Sequence, residues 1–144
     1  MQRTPIISLA IAVALGAGCT SSQVPIQQAT TKITSSTFQN TTLTTLDLSH
    51  QDLDDAIPAE IGNLKNLVHL DLSDNRMTGL PAEIGKLQKL ETLDLSNNQL
   101  TGLPLELGNL NNLQTLDLRG NSYSTYDLNL IRARLPETTI LVDE

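Results

Sequence analysis

The chain has 144 residues with 9 basic against 16 acidic side chains, a formal net charge of −7, and 2% aromatic residues with no tryptophan and one phenylalanine. That length holds one domain, and without aromatics its core has to be built from leucine. The acidic balance excludes nucleic-acid backbone and anionic lipid as charge-driven partners, since both need a positive surface. It mildly favours basic partners, although acidic balance also serves solubility alone.

In chain order, residues 1–18 read as an export signal: Arg3 and the amino terminus supply positive charge, Ile6 to Ala17 form a short apolar run, and Gly16-Ala17-Gly18 are small. The run is too short to span a bilayer, which needs about 20 apolar residues. Cys19, the single cysteine, comes at once after it. Leu15-Gly16-Ala17-Gly18-Cys19 resembles a bacterial lipobox, with the leucine four places before the cysteine. The resemblance implies that the Cys19 thiol is acylated and becomes the first mature residue. Thr20 behind it resembles lipoproteins released to the outer membrane. The other reading is an ordinary secretory signal cut beside a cysteine, which leaves a periplasmic or secreted chain of net charge near −8. Residues 19–42, rich in Ser, Thr and Gln, bury too little to offset ordering entropy and read as a flexible tether. Ile33 and Phe38 are its residues available to pack as a crude lid on the first leucine-rich stretch of the chain.

From residue 43 the chain repeats itself. Aspartate stands between two leucines at Leu46-Asp47-Leu48, Leu70-Asp71-Leu72, Leu93-Asp94-Leu95 and Leu116-Asp117-Leu118, in steps of 24, 23 and 23 residues. Pro58, Pro81 and Pro104 keep the same beat, as do Gly62, Gly85 and Gly108. A fixed period in the twenties implies a solenoid whose units bury their apolar sides only against neighbours. Within one unit, Leu93 and Leu95 alternate with Thr92 and Asp94 at strand period. Pro104 suits the first turn of a short helical segment, and Leu107 and Leu110 fall on one side of it. Strand, turn, helical return and parallel strand make a right-handed coil. Asn75, Asn98 and Asn121 recur just after each strand, where a carboxamide can satisfy backbone groups of the turning chain. The first repeat has Gln51 there and one extra residue before Pro58, so its turn is expected to be less regular.

These residues resemble the leucine-rich repeat proteins. The pattern L-x-x-L-x-L-x-x-N-x-L-x-x-L-P-x-x-I-x-x-L runs from Leu67 to Leu87, with Met77 for one leucine, and from Leu90 to Leu110, with Leu107 for isoleucine. The resemblance implies an α/β fold: a leucine-rich repeat solenoid, a right-handed β/α superhelix with a short concave parallel sheet. It implies four repeats over residues 43–122 and, usually, protein recognition as the function. Residues 123–144 depart from the pattern. Ser124 to Leu135 reads as a longer helix with Leu128, Ile131 and Leu135 on one side, Pro136 ends it, and Thr139 to Val142 reads as a fifth strand. Such a cap covers core leucines at an open solenoid end.

A ligand would meet the outward residues of the concave face. The row between the leucines is Asp47, Asp71, Asp94 and Asp117, with Thr45, His69, Thr92 and Thr115 on one side. Ser49, Ser73, Ser96 and Arg119 lie on the other, and His50, Asp74, Asn97 and Gly120 next along. The candidate contacts are Asp47, His69, Asp71, Ser73, Asp74, Asp94, Asn97, Asp117 and Arg119. Carboxylates about 4.8 Å apart repel by roughly 0.9 kcal/mol per adjacent pair in water, and a lysine or arginine from a basic protein or peptide would relieve this. Against that stands a plainer reading, in which Asp and Ser pair through hydroxyl and amide hydrogen bonds and the row is filler. A metal is disfavoured because carboxylates on a flat ladder do not converge on one ion. Ser73, His69 and Asp71 lie on one strand side by side, with no pocket or oxyanion donor implied, so catalysis is not expected. No phosphate loop or metal-binding spacing is present and no cofactor is expected. The concave face, roughly 300 Å², is small beside the roughly 800 Å² per partner of a standard complex. The sequence therefore points to an exported, lipid-anchored, non-catalytic module of the cell envelope holding a protein or peptide on its acidic face. Its rival is an envelope spacer with no specific ligand there.

Overall fold

The computed structural model describes Phe38 and residues 41–144. The export signal, Cys19 and Ile33 lie outside the described residues. Four three-residue strands, β1 (Thr45–Asp47), β3 (His69–Asp71), β5 (Thr92–Asp94) and β6 (Thr115–Asp117), are joined by β7 (Thr139–Leu141) in one parallel sheet of order β1-β3-β5-β6-β7. Register is in phase throughout: Asp47 pairs with Asp71, Asp71 with Asp94, and Asp94 with Asp117. This is the expected solenoid, and the leucines flanking each aspartate explain it. They point inward at strand period, so Leu72, Leu95 and Leu118 share one interior and none is measurably exposed. Burying a leucine in this way is worth about 1.5–3 kcal/mol.

Each coil returns through a single turn of 3-10 helix, Ala59–Asn63, Ala82–Lys86 or Leu105–Asn109, placed directly behind Pro58, Pro81 or Pro104. The proline carbonyl accepts from the amide three residues on, at 3.1 Å from Ile61, 3.2 Å from Ile84 and 3.1 Å from Leu107. Proline serves here because its own missing N–H would have had no partner and its φ is already set. The turns stack closely enough to require glycine. A Cβ on Gly85 would lie 2.5 Å from the Glu106 carbonyl oxygen of the next coil.

The asparagines act as expected. Asn75 Oδ1 accepts from the backbone amides of Gln51 (2.9 Å) and Leu53 (3.0 Å), while its Nδ2 donates to the carbonyls of Leu48, Leu72 and Ser73. Asn98 and Asn121 repeat the arrangement one and two coils on. Each carboxamide thus satisfies backbone groups of its own coil and of the preceding one, where a turn buried in the stack has no water to do so.

Three features of the first coil have local causes. Phe38 is fully buried in the leucine core, in the lid role expected of it at the end of residues 19–42. The only phenylalanine closes the first coil. The irregular first turn forms β2 (Asp54–Asp55), paired in parallel with β4 (Arg76–Met77) on the flank. Arg76 ties it down by donating through Nε to Asp54 Oδ1 at 2.8 Å and lying 3.3 Å from Asp52. Gln51 is the wrong length for the asparagine position: its Oε1 is buried without a hydrogen-bond partner. The cap has the expected form, with helix α1 (Thr125–Arg134) burying Leu128 and Ile131 before β7.

Candidate functional site

On the concave face the rows fall as the register dictates, Thr45–His69–Thr92–Thr115–Thr139 beside Asp47–Asp71–Asp94–Asp117. Thr45, Asp47, His69, Asp71, Thr92 and Asp94 surround a depression of about 290 Å³ floored by Leu46 and Leu70. His69 is exposed and Asp47, Asp71 and Asp94 are half-buried.

The carboxylates are not idle within the chain. Asp47, Asp71 and Asp94 each accept at Oδ1 from the amide two residues on at 2.9 Å and from that residue's hydroxyl at 2.6–2.7 Å. A short acidic side chain at a strand end can curl onto the amide two residues later, which closes the turn locally. This corrects one expected contact: Ser73 is buried, as is Ser96, and its hydroxyl is given to Asp71, so it is no ligand-facing group. In the structure the Ser73 hydroxyl donates to the Asp71 carboxylate and not to the His69 imidazole.

The fourth rung differs. Asp117 is only 5% exposed, which corrects its expected place as an open member of the ladder. Arg119 occupies the position held by serine in the other repeats and folds over Asp117. Its Nε reaches Oδ1 at 3.0 Å and Oδ2 at 3.2 Å, and Nη2 also donates to Oδ2. Burial pushes the Asp117 carboxyl up, but the side-chain and backbone hydrogen bonds from Arg119 and its charge outweigh this and hold it below the usual carboxylate value. The open acidic ladder is therefore three rungs long and ends in an internal ion pair. Arg119 remains exposed beside it.

Asp74 and Asn97 are exposed and form a second polar row with His50: Asn97 Nδ2 donates to Asp74 Oδ1 at 3.0 Å, and His50 Nε2 lies 3.4 Å from Asp74 Oδ2. His50, Asp74, Asn97 and Gly120 all have φ between 53° and 71°, the left-handed turn that ends each strand. At Gly120 a Cβ would meet Asn97 Oδ1 at 2.6 Å and the Asn97 backbone at 3.1 Å, so a larger residue there has to displace the Asn97 side chain. The shared left-handed conformation and the Arg119 clasp were not read in sequence, although Arg119 standing two residues after Asp117, on the same strand face, is the signal that allows the second. Among the described residues no three His, Cys, Asp or Glu groups are placed to hold a metal ion, and no helix is long and apolar enough to cross a membrane.

The family model described as a leucine-rich repeat region matches residues 22–122. The chain belongs to the leucine-rich repeat family. Among solved structures, this leucine-rich repeat chain is similar to a leucine-rich repeat protein of Leptospira interrogans, at 44% identity and a TM-score of 0.71 over 76% of this chain and 28% of that one. It is similar to the plant peptide hormone receptor RGFR1 in complex with RGF2, at 38% identity and 0.64 over 76% and 18%. The PEPR1–AtPEP1 structure matches at 33% identity and 0.66 over 76% and 16%. The chain thus spans between about a sixth and a little over a quarter of the length of these proteins. No curated protein matches it.

Proposed function

We propose that this repeat module is exported, anchored through an acyl chain on Cys19, and binds a basic protein or peptide segment along its concave face. The observation that carries the reading is the depression bounded by Asp47, Asp71, Asp94 and His69. There three parallel carboxylates keep one oxygen each for internal hydrogen bonds at Oδ1 and turn the rest of their charge to solvent. Neighbouring carboxylates at roughly 4.8 Å repel, and an extended chain bearing lysine or arginine at alternate positions relieves that repulsion along the ladder. The small face suits a peptide better than a folded surface. Several copies on one membrane would add avidity. The plant receptor structures with RGF2 and AtPEP1 support a peptide-sized occupant.

The test is capture from native envelope extract and on a basic peptide array by the wild type and by Asp71→Lys/Asp94→Lys. Loss of the captured species on reversal is expected. A profile unchanged by the reversal favours the spacer reading, which the Asp–Ser hydrogen bonds support. Metabolic labelling with a fatty acid is expected to mark the wild type and not Cys19→Ser; an unlabelled wild type ends the anchor claim while leaving the binding claim standing.

A further inference from the structure

A solenoid cap ordinarily turns a polar face to water, and here it does not. Among the described residues the exposed large hydrophobic side chains are Tyr126 (70%), Leu130 (37%) and Leu105 (38%), and all three sit at the capped end, two on α1 and one on the 3-10 turn it packs against. At about 100° per residue, Tyr126, Leu130 and Ala133 fall on the side of α1 opposite the buried Leu128, Ile131 and Leu135. The helix is therefore apolar on both sides. Exposed apolar side chains gathered on one side of a helix are candidates for an interaction site.

The charges bordering the stripe say what covers it. Asp127 and Arg134 lie along one flank of α1, about seven residues and thus roughly 10 Å apart along the axis, too far to pair with each other. Neither has an ion partner among the described residues. Arg134 makes only a 3.4 Å contact from Nη1 to the Leu105 carbonyl, its stem lying over Gly108, and Asp127 lies 4.0 Å from where a Gly102 Cβ would be. If two α1 helices lie antiparallel about a two-fold axis at Leu130, residue i meets the residue whose number brings the sum to about 260. Leu130 then meets Leu130, Tyr126 meets the small Ala133, and Asp127 of each copy faces Arg134 of the other. Such a self-complementary patch is what an isologous dimer requires.

We infer that the capped end of the solenoid associates with a second copy of this chain through α1, in an antiparallel pairing centred on Leu130 and flanked by two reciprocal Asp127–Arg134 ion pairs. One helical face of ten residues is about 15 Å long and covers far less than the roughly 800 Å² per partner of a standard interface. The dimer is accordingly weak and favoured where copies are concentrated, as on a membrane.

The experiment is sedimentation equilibrium of the full chain carrying Cys19→Ser, which leaves no thiol and no acylation site, at concentrations up to about 1 mM, the weak end of measurable association. A monomer–dimer equilibrium is expected. Leu130→Asp abolishes it with the circular dichroism spectrum unchanged. Asp127→Arg and Arg134→Asp each weaken it by about tenfold, as like charges replace both pairs, and the double exchange restores it to within about threefold. In the same background Leu130→Cys forms a disulfide between copies under oxidant and Asn129→Cys does not. A wild type that stays monomeric and a Leu130→Cys variant that fails to cross-link overturn the inference, as does a dimer indifferent to Leu130→Asp or unrestored by the double exchange. Monomers that instead bind lipid vesicles through Tyr126 and Leu130 overturn it equally, in favour of a lipid surface.

Discussion

Asn75 carries more of the backbone than any other side chain described, and removing it tests whether the asparagine row holds the stack together. In Asn75→Ala the amides of Gln51 and Leu53 lose their acceptor, and the carbonyls of Leu48, Leu72 and Ser73 lose a donor. An orphaned buried N–H costs about 1–3 kcal/mol, whereas a carbonyl with a second lone pair suffers less. Two amides and three carbonyls together give a loss of about 4 kcal/mol, a large part of the 5–15 kcal/mol that keeps a domain folded. Asn121 makes the same donations but accepts from the Leu100 amide alone and is half-exposed, so water can replace part of its work. Its alanine variant should lose about 1–2 kcal/mol. Urea denaturation followed by far-ultraviolet circular dichroism measures both, with an unchanged slope showing that the same surface unfolds. An Asn75→Ala loss within about 1 kcal/mol of that of Asn121→Ala would show that the difference in partners carries no weight.

The tight stacking at Gly85 and the Arg119 clasp on Asp117 each give a further expected outcome. Gly85→Ala pushes a methyl against the Glu106 carbonyl at 2.5 Å and is expected to cost about 2–3 kcal/mol. Gly79→Ala meets nothing within 4 Å and should be neutral or stabilise by about 0.5 kcal/mol, so thermal melts that rank the two equally refute the close-stacking argument. The Asp117 carboxyl has a folded pKa below its ordinary value, so the stability it contributes is fully present above the ordinary carboxylate pKa of about 3.9 and is lost as pH falls through the folded value. Arg119→Ala should therefore be less stable than wild type from neutral pH down to that region, with the gap closing below it. A gap independent of pH would show that Arg119 acts through packing and not through its charge.

The repeating part of this chain was legible because its physics is periodic. Leucines at strand spacing, prolines before each return and asparagines after each strand occur in phase, so the solenoid, the row of concave side chains and even the hydrogen-bonding duty of Asn75, Asn98 and Asn121 come from counting residues. The lid role of Phe38 came from its apolar character and place ahead of the first repeat, not from counting, because one aromatic residue filling a terminal gap has no repeat to announce it. The Asp–Ser pairing at Asp71 and Ser73 was open to reading from their spacing, but spacing could not say that Arg119 would fold over Asp117. A side chain's partner depends on its rotamer and on how deep its turn sits, and both are set only when the coils stack. The apolar outer side of α1 was likewise present in the letters Tyr126, Leu130 and Ala133. Only packing decided which side of the helix faced the core, and so left these residues in water.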